Sequence, residues 1–187
     1  MFRKGLSPIL LVTLIFSAPS YQSASAADFD LLSVSARLRV GEKRVLGNVQ
    51  PVSFREYDLM VALRLPANVQ IPSGPKLDTR LLLSAGVMQG AGKNSVVASA
   101  IPVFAMTTQD ERFVVDTGIG LALMTRYRFD QQDFGGPLQF ALTAGCSVPI
   151  YGRFGVGYRF MHYSDAGLYS PSTTGADFHM VELIYRY

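Results

Sequence analysis

The 187-residue chain holds two histidines, His162 and His179, and the first stands two positions before Ser164 in the segment FGVGYRFMHYSDAG. On an extended strand, residues i and i+2 point to the same face about 6.5–7 Å apart, so an imidazole at 162 can lean towards a hydroxyl at 164. A serine hydroxyl is a weak nucleophile until a neighbouring base takes its proton, and His162 is placed to do so. The chemistry open to such a pair is acyl transfer, for example the hydrolysis of an ester. A hairpin through residues 165–175 would bring Asp177 opposite His162, where a carboxylate could hold the ring's orientation and stabilise the imidazolium. His179 reads instead as an interfacial polar side chain. Two histidines without a Cys or carboxylate cluster make a poor metal site, so no metal is expected. No glycine-rich nucleotide loop occurs at a strand-to-helix junction, and ester hydrolysis needs only water, so no cofactor is expected either.

The elements that must position these groups are strands. From Phe29 onward the hydrophobic pattern has a period of two, and no later segment has the uninterrupted apolar length of a spanning helix. In FDLLSVSARLRV, Leu32, Val34, Ala36, Leu38 and Val40 share one face, with Ser33, Ser35, Arg37 and Arg39 on the other. In VSFREYDLMVALRL, Tyr57, Leu59, Val61, Leu63 and Leu65 oppose Glu56, Asp58 and Arg64. Alternation recurs over residues 79–89, 96–106, 112–126, 138–149, 153–164 and 176–187, separated by pieces rich in Gly, Pro, Asn and Asp. The expectation is an all-β fold, an eight-stranded antiparallel transmembrane β-barrel. An even number of strands of about ten residues suits a bilayer, where every backbone N–H and C=O must be paired and a closed sheet has no edge.

With apolar faces towards lipid, the other faces must fill a lumen too narrow for a channel at eight strands. The inward set would include Arg37, Arg39, Arg64, Arg159 and Arg186 with Glu56, Asp58, Asp116 and Glu182, nearly balanced in sign. A soluble lipocalin-like barrel would have the same periodicity with its faces reversed. The charge-poor apolar faces and the ending Leu183, Tyr185, Tyr187 on one face favour the membrane. His162 and Ser164 are in step with Phe154, Val156, Tyr158 and Phe160, and Asp177 with Val181, Leu183, Tyr185 and Tyr187, so all three polar groups are expected on the lipid-facing wall. At about 2.5 Å of depth per tilted residue they would stand roughly 20–25 Å above the inner rim, at the outer headgroup boundary. Tyr151, Tyr158, Tyr163 and Tyr169 read as girdle and loop aromatics, and Gly155 and Gly157 as relief for a crowded lumen or strand bend.

The first 26 residues have the anatomy of a secretory signal peptide: Arg3 and Lys4, an apolar run from Ile9 to Phe16, then small residues up to Ala24-Ser25-Ala26. Residues 27–187 would form the barrel. Arg3 and Lys4 are two of the 17 Lys+Arg, so 15 remain against 14 Asp+Glu, and the basic pI of about 9.1 is largely a targeting feature. No basic stripe suggests nucleic acid. The single cysteine, Cys146, cannot close an intrachain disulfide and reads as an apolar filler.

The stretch HYSDAGLYSPSTTGADFHMVELIYRY resembles the C-terminal signature of the outer-membrane lipid A 3-O-deacylase family known as PagL. That signature is a His-x-Ser on one strand, an Asn-Ala-Gly turn, and an acidic residue after a glycine on the last strand. The resemblance implies an outer-membrane barrel that hydrolyses the ester at the 3-position of lipid A in lipopolysaccharide and releases a 3-hydroxy fatty acid. By that pattern His162 is the base, Ser164 the nucleophile and Asp177 the acid that orients the histidine. Asp177 stands where the family usually has Glu, and Asp165 where an Asn usually follows the serine. Oxyanion or substrate contacts expected around Asp165, Ala166 and Gly167 would then fall to backbone N–H groups. The resemblance also allows a homodimer. Rival readings are a non-catalytic barrel of the OmpX or OmpA type and a barrel acyltransferase acting on lipid A.

Overall fold

The computed structural model describes residues 30–40, 44–45, 48–70, 72, 74–170 and 172–187; the expected signal peptide at 1–26 lies outside them. The described strands are β1 (Leu31–Arg39), β2 (Arg44–Val45), β3 (Asn48–Val49), β4 (Phe54–Gln70), β5 (Lys76–Gly90), β6 (Lys93–Thr107), β7 (Val114–Met124), β8 (Arg128–Phe129), β9 (Gln132–Asp133), β10 (Leu138–Tyr151), β11 (Phe154–Ser164) and β12 (Ala176–Arg186). Eight of them close an antiparallel barrel in the order β1-β12-β11-β10-β7-β6-β5-β4, while β2 pairs β3 and β8 pairs β9 in two small hairpins outside it. Closure comes from β1, which pairs β4 on one side and β12 on the other. Strand direction alternates, so the connections after β1, β5, β7 and β11 lie at one end, the upper end, and those after β4, β6 and β10 at the lower end.

Several strands run further than the alternation suggested. β5 and β6 are joined by Ala91 and Gly92 alone, at φ 47° and 70°. Two positive φ values in a two-residue connection match the twist of the flanking strands, so the connection expected between the strands at 79–89 and 96–106 shrinks to a tight turn. At the lower end, β4 continues to Gln70 and β5 begins at Lys76.

The alternation sorts side chains as a bilayer requires. Along β6 every second residue is buried, and those between are exposed, including Val96 and Phe104. Leu59, Ile119, Leu121, Leu123 and Leu183 likewise face outward from neighbouring strands. The lumen holds the charges. Arg37 donates from Nε to Asp58 Oδ1 at 2.6 Å and from Nη2 to Oδ2 at 2.8 Å. Arg159 bridges Glu182 at 2.6 Å and both oxygens of Asp116 at 2.6 and 2.9 Å. A protein in water would bury its leucines and expose these ions; the reverse arrangement over a continuous wall is that of a membrane barrel.

Two of the expected lumen charges differ. The side chain of Arg64 is 42% exposed and Arg186 is only partly covered, because both stand at the lower mouth where the lumen widens into an open cavity of about 490 Å³. The upper end is sealed by aromatic rings: Phe54 lies 5.1 Å from Phe129, 5.9 Å from Phe134 and 6.0 Å from Phe178. Tyr163, expected in a girdle, instead joins this plug, fully buried 5.2 Å from Phe178 and donating to Glu56 at 3.3 Å. The reason is parity, since odd positions of β11 turn inward. The same rule explains Gly157, where a Cβ would stand 2.9 Å from Glu182 Oε2.

Candidate active site

The alternation of β11 puts Arg159, Met161 and Tyr163 in the lumen and turns Phe160, His162 and Ser164 outward. His162 lies directly across from Asp177 in the β11–β12 register. Its Nδ1 meets Asp177 Oδ1 at 2.6 Å. An ionised carboxylate only accepts hydrogen bonds, so against it Nδ1 is the donor, and in a neutral ring the opposite nitrogen, Nε2, keeps its lone pair. Ser164 follows two positions along the same face. Among the described residues no hydrogen bond joins it to His162; bonds of this kind are commonly long before a substrate arrives.

Asp177 has outward parity yet is 2% exposed. The barrel's upper rim is uneven beside it. β1 ends at Arg39, opposite Met180, and the last backbone bond from that side runs from Val40 N to His179 O at 2.7 Å. Above it, among the described residues, side chains bind the backbone of β12. Arg39 Nη2 donates to the Asp177 carbonyl at 2.9 Å, and the Asp177 N–H donates to Gln50 Oε1 at 3.4 Å. Arg39 itself lies 4.5 Å from the centre of the Phe178 ring. The carboxylate is thus presented to His162 from a backbone held at both polar atoms.

Against the imidazole, on the side of the upper loop, lies Gly175. A Cβ there would stand 2.9 Å from His162 Cε1 and 3.3 Å from Nε2, so the absence of a side chain makes the ring's seat. In the sequence Gly175 stands only as the glycine before the acidic residue of the signature and Arg39 only as a lumen charge, and Gln50 carries no signal. Their places beside Asp177 and His162 depend on contacts between residues far apart in the chain.

Asp165, Ala166 and Gly167 form the turn just after Ser164, with Ala166 at φ 50° and Gly167 at φ 80°. The structure turns the Asp165 carboxylate into the loop, away from a contact with a reacting group. Oδ1 accepts from Gly167 N at 3.1 Å and Thr173 Oγ1 at 2.7 Å, and Oδ2 from Tyr169 N at 3.1 Å. Burial works to raise the Asp165 pKa, but the hydrogen bonds from Thr173, Gly167 and Tyr169 outweigh it and hold the carboxyl below its usual value. Gly167 N–H is therefore engaged within the loop, whereas Ala166 N–H is not taken by that carboxylate. His179 also faces outward, two positions from Asp177. Its Nδ1 meets the Tyr158 hydroxyl at 2.5 Å, and it packs on Phe160, apart from the His162–Asp177 pair.

The arrangement is an outward-facing hydroxyl, imidazole and carboxylate at the upper end of a membrane-type wall, suited to an ester presented from the lipid side. The chain is 31% identical over 84 residues to "Lipid A deacylase PagL" of Pseudomonas aeruginosa, an alignment covering 45% of this chain and 49% of the relative. It is 34% identical over 90 residues to "Lipid A deacylase PagL" of Bordetella bronchiseptica, covering 48% of each. The chain spans about half the length of the curated relatives it matches. The solved structure described as "Crystal structure of the outer membrane enzyme PagL" superposes with a TM-score of 0.67 at 22% identity, covering 82% of this chain and 98% of that one, a likeness of fold. The family profile described as "Lipid A 3-O-deacylase (PagL)" matches residues 57–186, most of the barrel together with His162, Ser164 and Asp177, and the chain belongs to that family.

Proposed function

We propose that this protein resides in the outer membrane and hydrolyses the ester-linked acyl chain at the 3-position of lipid A, with Ser164 as nucleophile, His162 as general base and acid, and Asp177 as the group that orients the ring. The observation that carries this reading is the 2.6 Å contact between His162 Nδ1 and Asp177 Oδ1, made on the outer wall and in step with Ser164. A hydrophilic trio on a lipid-facing wall is costly unless a lipid's polar region comes to it.

The chemistry runs in two halves. Nε2 of His162 takes the Ser164 proton as Oγ attacks the ester carbonyl, and Asp177 stabilises the imidazolium that forms. The oxyanion is met by backbone N–H at the turn after the serine, around Ala166. Collapse breaks the bond to the sugar oxygen, which leaves with the proton held by His162, and the acyl group remains on Ser164. Water, deprotonated by the same nitrogen, then releases the acyl chain as a free 3-hydroxy fatty acid and restores the serine.

The test is hydrolysis by purified protein in detergent micelles given lipid A. The wild type should release free hydroxy fatty acid and the Ser164→Ala variant, with its barrel folded, none. Intact lipid A with the wild type, or equal release by both proteins, would overturn the proposal. A gain in lipid A mass would mean acyl transfer instead.

A further inference from the structure

We propose that Gln132 is a positioning residue that fixes the seat of the His162 ring. Gln132 belongs to the β8–β9 hairpin on the connection between β7 and β10, distant in sequence from the site, and is fully buried. Its Nε2 donates to Thr174 O at 2.7 Å, Thr174 Oγ1 at 2.8 Å and Gly175 O at 3.0 Å. Three acceptors around a two-hydrogen amide hold it tightly. The neighbouring Asp133 O accepts from Thr174 N at 2.9 Å, so two adjacent residues of the hairpin hold this short stretch through the Thr174 N–H and the carbonyls of Thr174 and Gly175.

That stretch is the one on which the imidazole rests, because Gly175 leaves Cε1 and Nε2 of His162 only the room of a missing Cβ. A shift of Gly175 by a fraction of an ångström therefore moves the nitrogen that must face Ser164. The hairpin that carries Gln132 is itself fixed. Phe129, its register partner, and Phe134 are both fully buried in the aromatic plug. The plug thus holds the hairpin, Gln132 holds Thr174 and Gly175, and Gly175 holds the ring. Gln132 Oε1 has no partner among the described residues, so donation alone binds this side chain. Glu at 132 keeps the size and offers oxygens to oxygens.

The proposal rests on the reading of His162 as the general base, and its test separates the two. The Nδ1 proton of His162, held by Asp177, should give a low-field proton NMR resonance in the wild-type barrel in micelles that is lost in Asp177→Ala. Gln132→Leu and Gln132→Glu should fold, as judged by heat-modifiable gel mobility, yet shift or broaden that resonance. On lipid A their kcat should fall by at least about tenfold with KM within about twofold, since misplacing a reacting group by a fraction of an ångström acts on the chemical step rather than on binding. If Gln132→Leu does not fold, Thr174→Val removes one of the three acceptors and is read in the same way. An unchanged resonance in the folded variants, or kcat at the wild-type level, overturns the proposal. Absence of hydrolysis by the wild type would instead refute the lipid A reading, and the resonance would still decide the role of Gln132.

Discussion

Replacing Asp177 by Ala removes one partner of the 2.6 Å bond to His162 Nδ1, at a place where the carboxylate side chain is 4% and the imidazole side chain 16% exposed. A hydrogen bond to an ionised group in such a sheltered site contributes about 1.5–3 kcal/mol. It matters most when the ring becomes cationic, so the loss falls on the transition state. At about 1.4 kcal/mol per decade, kcat should drop by about 10- to 150-fold while KM stays within about twofold. Asp177→Asn should be at least as severe, because an amide that donates to Nδ1 forces the ring proton onto Nε2, where it blocks base catalysis. The assay is fatty acid release from lipid A in micelles by protein whose barrel is shown folded by heat-modifiable mobility. A folded Asp177→Ala variant with kcat within about threefold of wild type would refute the reasoning, since the carboxylate could then not be orienting the base.

Arg159→Met should destabilise the barrel by about 3–5 kcal/mol in urea unfolding, because Asp116 and Glu182 would be left in the lumen without their shared cation. Ile119→Arg, at an outward position 59% exposed in the middle of β7, should cost about 2–4 kcal/mol in a lipid bilayer; no loss would contradict the lipid-facing wall. Asp165 has a pKa depressed in the folded loop, so its stabilisation is complete above its unfolded value of about 3.9 and fades as pH falls through the lower folded one. Hydrogen exchange at Gly167 and Tyr169, whose N–H groups it accepts, should accordingly lose protection on acidification below about pH 4, and Asp165→Ala should show the same loss at neutral pH.

The barrel was legible because a period of two is a local property. Each strand announces its two faces, and the ionic set Arg37, Asp58, Arg159, Asp116 and Glu182 falls on the inner one by counting alone. The same counting puts His162, Ser164 and Asp177 on one outer wall, and the cross-strand pairing of 162 with 177 needed only a hairpin. It also predicts an inward Tyr163, which reading the tyrosines as a girdle class overrode. Other features depend on where strands stop. That β1 ends opposite Met180, leaving Arg39 and Gln50 to bind the backbone of Asp177, is set by closure of the barrel, and no alternation in β1 announces it. Asp165 was read by its place beside the serine, but its direction is decided by Thr173 and the left-handed turn at Ala166 and Gly167. Gln132 lies in a polar run that looks like any loop until the fold sets it against Thr174.

Cleavage of an acyl ester of lipid A by the outward trio would be written in the mass of the lipid itself. The most direct measurement is mass spectrometry of lipid A from otherwise identical cells carrying the wild-type protein, Ser164→Ala or an empty vector. A lipid A species lighter by one hydroxyacyl unit is expected with the wild type alone. Lipid A of the same mass in all three strains, or the lighter species with Ser164→Ala as well, would contradict it.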